Sequence, residues 1–180
     1  MNSQTKNDIT KESEDLKVYK TETNKSNRKK TRKILYQELY ASTFLLNDKK
    51  DFYESFFNNV FSFNRDEEYL DEIIKKIKYY EYFFIYVIKK YSPKFDFEKM
   101  NVINIIPIYI ALAEMFYLDE EIPAKVSINE AVEVAKVYWD NSAKKIVNWV
   151  LNKVLEDHEE LNKIKDTISK DDFTYSIFKK

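Results

Sequence analysis

Not one of the 180 residues is glycine. That absence removes whole classes of fold and chemistry, because glycine supplies positive φ and lets the backbone approach a ligand closely. A P-loop, a G-x-G-x-x-G turn and a G-x-S-x-G nucleophile elbow each require it. None can be built here. Tight β-hairpins depend on primed turns that glycine dominates, so they too are disfavoured. Helices remain, with C-termini closed by asparagine or other residues. Hydrophobic residues make up 44% of the chain, enough for the core of one domain.

The chain also lacks cysteine and carries a single histidine, His158. Disulfides and thiolate sites are therefore excluded, and a histidine-based zinc site or a Ser-His-Asp triad lacks its parts. His158 lies on a predicted polar helix and is expected at the surface. Carboxylate groups such as Glu67-Glu68 and Asp119-Glu120-Glu121 fall where helices begin or end, where solvation and the helix dipole place them. No catalytic residue, metal-ligand set or cofactor motif emerges. The lack of cysteine fits the cytosol, and the first 24 residues are polar, without the apolar stretch of a signal peptide. The most apolar run, Val102 to Met115, is interrupted by Asn104 and Pro107 and is too short to span a bilayer. A cytoplasmic, non-enzymatic protein is expected.

Charge is small in sum and uneven in distribution. The formal net charge is −1, yet residues 1–33 hold ten Lys/Arg and five Asp/Glu, a net of +5, against −6 for the rest. Six of the nine residues from Lys25 to Lys33 are basic and none is acidic. A basic block ahead of an acidic body suits an electrostatic arm for a polyanion. A solvated linker or helix start would have the same composition.

Residues 1–26 are mostly Lys, Glu, Thr, Asn and Ser and are expected to be disordered. Helical periodicity begins at Thr31. Ile34, Leu35, Leu39, Phe44 and Leu45 suit a first helix ending near Asn47-Asp48, and Phe52, Phe56, Val60 and Phe61 a second. Tyr69, Leu70, Ile73, Ile74 and Ile77 open a third, running through an aromatic-rich stretch until Ser92-Pro93 stops it. The rings of Tyr79, Tyr80, Phe83 and Phe84 fit core better than a base-stacking platform. A fourth helix begins near Asp96 and carries Val102 to Leu118, with a kink or break expected at Pro107. In the next segment, Ser127 and Glu130 have the S-x-x-E spacing of a capping box, with Val126 and Ala131 placed for a hydrophobic staple. Ile128, Ala131, Val132 and Ala135 then share one face. Asn141-Ser142 offers a fresh N-cap, and Ile146, Val147, Val150, Leu151, Val154 and Leu155 form a sixth helix. A polar helical tail follows Asp157, with Leu161, Ile164 and Ile168 at helical spacing. The fold class is all-α, a bundle of about six to seven helices. The units are a tail (1–26), a domain (27–157) and a C-terminal helical extension (158–180).

Three strings carry more than periodicity. Ile122-Pro-Ala-Lys-Val-Ser-Ile-Asn-Glu-Ala-Val-Glu-Val-Ala-Lys136 closely resembles the signature segment of the NusB family of transcription antitermination factors. Ile146-Val-Asn-Trp-Val-Leu-Asn-Lys153 resembles that family's Phe-Val-Asn-Gly-Val-Leu-Asp-Lys, and Arg28-Lys-Lys-Thr-Arg-Lys-Ile-Leu-Tyr-Gln-Glu-Leu-Tyr40 its arginine-rich start. The blocks stand in the family's order, from Arg28 to Asp157. The resemblance implies two small helical subdomains packed across each other. It also implies binding of single-stranded boxA-like RNA in ribosomal RNA transcripts together with NusE, a small-subunit ribosomal protein, with the RNA polymerase elongation complex affected indirectly.

Carried over position by position, the RNA-binding candidates are Arg28, Lys29, Lys30 and Arg32 at the basic start and Ser142, Lys144, Lys145 and Asn148 at the start of the sixth helix. A helix N-terminus offers amides to phosphate. The partner-binding candidates are Tyr40 and Glu114. The chain departs from the family at Trp139 and Trp149, where glycine is usual, at Tyr109, where arginine is common, and at Ile146, which replaces an aromatic. The Trp149 indole is expected in the core beside Ile146 and Val150, with a surface stacking position as the alternative. A NusB-like interaction module or homodimer with weak RNA binding is the second functional class. A third is the RNA-binding unit of a ribosomal RNA cytosine methyltransferase, although no glycine-bearing methyl-donor fold accompanies it.

Overall fold

The computed structural model describes residues 28–44, 66–118, 122–138, 141–172 and 175–178. The expected disordered tail and second helix lie outside the described residues. Among those residues every regular element is helical. The first helix, α1, covers residues 28–42. It stops short of the expected Asn47-Asp48. Ser42 and Thr43 turn their hydroxyls back onto the carbonyls of Leu39 and Tyr40 at 2.7 and 2.8 Å, and the Thr43 and Phe44 amides close three-residue turns. Such bonds satisfy the orphan carbonyls of a helix end.

Helix α2, Glu67–Tyr91, starts on Asp66, whose carboxylate accepts the Tyr69 amide at 3.2 Å. Glu67 and Glu68 in the first turn and Lys89 and Lys90 in the last complement its dipole. The Ser92 amide closes the final turn on Ile88 at 2.8 Å, as the following proline demands. Tyr80 has non-helical dihedrals (φ −105°, ψ 17°) and bends the helix. After a short 3-10 turn at Phe97–Lys99, the Asn101 side chain caps α3, Val102–Tyr117. Pro107 does not break α3, which continues through it. Helices α4, Ala124–Tyr138, and α5, Asn141–Glu156, follow, then the short α6, His158–Ile164.

The centre of the molecule is α3. It is apolar on nearly every side, the pattern of a buried helix, and it packs against α2, α4 and α5. Residues from α1 to Ile177 join in one continuous core. No helix among the described residues is long and apolar enough to cross a membrane.

Two expectations about α4 fail. The helix starts one turn before Ser127, with the Pro123 carbonyl accepting the Val126 and Ser127 amides at 2.7 and 3.3 Å. Ser127 is therefore inside the helix, buried, and its hydroxyl has no hydrogen-bond partner among the described residues. Glu130 faces Arg32 instead of a cap, and Val126 is exposed rather than stapled. The tail differs too. The helix after Asp157 ends at Ile164, and the chain passes through turns to a second 3-10 turn, Lys170–Asp172. Leu161 is buried, and Ile164 and Ile168 pack on the core edge. His158 is half-buried and stacks on Phe116, centroids 4.8 Å apart.

Candidate nucleic-acid interface

The basic residues of α1 divide by helical position. Arg28 and Arg32 are four apart and share one face. That face turns inward. Arg28 Nε lies 3.0 Å from the Asp66 carboxylate, and the Asp66 amide in turn donates to the Thr31 hydroxyl at 3.1 Å. Arg32 is buried. Its Nε donates to Glu114 Oε1 at 2.7 Å, and its guanidinium lies 3.8 Å from Glu130. The Tyr69 hydroxyl donates to the same Glu114 oxygen, and both guanidinia lie over the Tyr69 ring, at 5.5 and 5.7 Å. Four helices meet here: α1, the start of α2, the end of α3 and α4.

The electrostatics follow from burial. For Arg32, burial alone would disfavour the charge, but Glu114, Tyr69 and Glu130 outweigh it and hold the pKa above its ordinary value. Burial first, then the Glu114 carboxylate, pushes the Tyr69 hydroxyl well up. Arg32 is thus a charge compensating buried carboxylates, and Glu114 a buried acid rather than a surface contact. Tyr40 is different. It is half-buried at the end of α1, parallel to Tyr36 at 6.4 Å and edge-on to Phe44 at 5.0 Å, and Phe44 is exposed.

Lys29 and Lys30, off the inward face, are exposed. Lys29 reaches a second cluster. Glu133, on α4, is held below its ordinary pKa by the Lys136 hydrogen bond first, then by the charges of Lys136, Lys29 and Lys144. Those three lysines come from the start of α1, the end of α4 and the start of α5. The Glu133 side chain is about half exposed, so this cluster, positive in sum, borders solvent. Lys145 and Asn148 are exposed on the first turns of α5, and Lys144 is half-buried. The Ser142 side chain lies outside the described residues, as does Trp139.

Lys29 and Lys144 both lie near enough to Glu133 to act on its charge, whereas Arg28 and Arg32 are turned away from solvent. Lys136 and Glu133 were missed in the sequence, although a basic residue in the last turn of one helix, just before the N-terminus of the next, was a visible signal. Trp149 overturns the core expectation. It is 58% exposed, its indole N–H donates to the Tyr91 carbonyl at 3.2 Å, and Lys153 lies 5.4 Å from its ring. Tyr109, where arginine is common in the family, is fully buried, and its hydroxyl donates to Glu81 at 3.3 Å.

The family description "NusB family" matches residues 18–156. The chain belongs to the NusB family. It is similar to the transcription antitermination protein NusB of Clostridium acetobutylicum, 32% identical over 74% of this chain and 98% of the relative. It is also similar to the proteins of that name in Chloroherpeton thalassium, 43% identical over 36% of this chain and 30% of the relative, and Trichlorobacter lovleyi, 27% identical over 71% and 89%. No solved structure matches significantly. The NusB match ends at residue 156, so α6 and the segment beyond it lie outside the part this chain shares with the family.

Proposed function

We propose that this NusB-family chain is a transcription antitermination factor that binds single-stranded, boxA-like RNA of ribosomal RNA transcripts together with NusE. The observation that supports the reading is the set of exposed lysines where α1 and α5 begin, Lys29, Lys30 and Lys145, with Lys136 ion-paired to Glu133 and Lys29 and Lys144 near enough to act on the same carboxylate. Phosphates would be held by Lys29, Lys30, Lys144 and Lys145, with the first amides of α5 as further donors. Tyr40 and the exposed Phe44 supply an aromatic edge for the protein partner.

Titration of labelled boxA-like RNA, with and without NusE, tests this. Four neutralised phosphates on a single strand give a slope of log K against log salt of roughly −3. Replacing Lys29 and Lys144 by alanine should flatten that slope by roughly 1.4. Glu133→Gln should tighten binding, because it removes a carboxylate from the patch. NusE should raise RNA affinity, and by linkage RNA should raise NusE affinity by the same factor.

A second reading, a protein-interaction module or homodimer with weak RNA binding, is favoured by the inward commitment of Arg28 and Arg32. It predicts NusE binding or self-association with no dependence on RNA, and an unchanged salt slope in the lysine variants.

A further inference from the structure

Away from the patch just described, α2 carries its own basic and aromatic surface. Lys75, Lys78, Tyr79 and Tyr82 recur at helical spacing and share one face. Together with Lys76 and Tyr80, the first three line a shallow, open groove of about 560 Å³. Lys75 and Lys78 are exposed, and Tyr79 is 59% exposed. Asp71 and Glu72, one turn earlier, form no ion pair with these lysines among the described residues. A fourth cation comes from the C-terminal segment: the Lys170 ammonium lies 3.6 Å from the Tyr79 ring centroid and 5.5 Å from that of Tyr82. An opposing charge nearby is Asp166, close enough to raise the pKa of Tyr82 after burial and the neighbouring tyrosines; Asp171 follows Lys170 directly in the chain.

The groove has a firm floor. Tyr80 stacks on Tyr117 of α3 at 3.6 Å and 11°, and Tyr79 meets Tyr80 edge-on at 4.7 Å. The bend at Tyr80 falls at this point of α2. Ammonium groups on one helical face beside a largely exposed ring are the parts that bind single-stranded nucleic acid: charge for the phosphates, and for a base the part of the Tyr79 ring that Lys170 does not cover. An acidic peptide would use the lysines but gain little from the ring. A membrane surface would need aliphatic side chains, which this face lacks.

We propose that the Lys75–Lys78–Tyr79 face of α2 is a second contact for single-stranded RNA, engaging nucleotides outside the boxA-like element. It rests on the reading of the chain as an RNA-binding protein. Nine residues separate Lys75 from Asp66, which holds Arg28, so the groove opens about 14 Å along α2 from the start of α1.

The test uses the full chain and three labelled RNAs: a short boxA-like RNA, the same RNA extended by a uridine tract, and the uridine tract alone. Tyr79→Ala should weaken binding of the extended RNA and of the tract by about tenfold, the loss of one stacked base, and leave the short RNA unchanged. Tyr79→Phe should bind as the parent does. Lys75→Ala with Lys78→Ala should make the salt slope for the extended RNA shallower by roughly 1.4, again without effect on the short RNA. Circular dichroism checks that these surface variants keep their helicity. Equal affinity of the parent and of Tyr79→Ala for both longer RNAs would overturn the proposal. So would preferential binding of a polyaspartate peptide in place of the uridine tract. If the short RNA fails to bind the parent while the tract binds through Tyr79, the boxA reading falls and the groove stands.

Discussion

Ser127 shows how one buried hydroxyl inverts an energetic argument. As a helix cap its loss would cost about 1 kcal/mol. In the structure it lies inside α4, buried, with no partner for its oxygen among the described residues. A buried polar group without a partner is a desolvation cost, and alanine is the better helix former. Ser127→Ala should therefore raise stability by about 1 kcal/mol, read as a higher urea midpoint with an unchanged m-value. A lower midpoint would restore the cap. The S-x-x-E spacing was legible, but the long-range fact that decided it was not. Glu130 lies beside Arg32 of α1, and no local pattern announces that. The two arginines mislead for the same reason. Sequence marks them as cations, whereas only the packing of Asp66, Glu114 and Glu130 around them shows that their charge is already used. Trp149 is the converse: apolar bulk suggested core, yet its helical position places it over the end of α2, where the Tyr91 carbonyl accepts its indole proton.

At the scale of elements, periodicity was a good guide wherever apolar faces were strong. α2 and α3 appear close to where their patterns place them, and α5 begins at the Asn141-Ser142 signal. The C-terminal segment was the least legible. Its anchoring rests on single contacts far apart in sequence. Glu81, buried in α2, accepts the Ser176 hydroxyl at 2.5 Å and the Ile177 amide at 2.8 Å, besides the Tyr109 hydroxyl. Ile177 is almost fully buried, Tyr175 meets Phe97 edge-on at 5.6 Å, and Lys165 donates to the Phe116 carbonyl at 2.9 Å. The segment therefore closes the α2–α3 seam. Removing the chain from Tyr175 onward strips two donors from a buried carboxylate and exposes the Ile177 site. The expected cost is about 3 kcal/mol or more, seen as a lower urea midpoint. Affinity for a short boxA-like RNA, measured where both proteins are folded, should be unchanged. A midpoint equal to the parent's would mean that the segment does not hold the core.

Across the whole molecule, three tyrosine hydroxyls, those of Tyr69, Tyr91 and Tyr109, tie α2 and α3 to their neighbours, while that of Tyr117 is buried without a hydrogen-bond partner among the described residues, and all four are shifted the same way. Burial first, then Glu114, raises Tyr69 well above its ordinary value, and burial with Glu81 does the same for Tyr109. Burial and the hydrogen bond to Asp157 push Tyr91 up to about 12, and burial raises Tyr117. In the unfolded chain these groups ionise near pH 10. Above that pH the unfolded state gives up protons that the folded state keeps, so the folded state binds more protons and stability must fall as pH rises. Their contribution is complete below about pH 10 and is lost as pH climbs through the folded values. Urea midpoints should be level from neutral pH to roughly pH 9 and then decline steeply. Tyr91→Phe should remove the part of that decline that ends near pH 12 and leave the remainder, which belongs to the more deeply buried Tyr69 and Tyr109. Tyrosinate absorbance of the folded protein should appear only as it unfolds for those two. A stability profile level through pH 11, with all tyrosines titrating freely near pH 10, would contradict the packing of α2 against α3 on which both the basic patch and the aromatic groove depend.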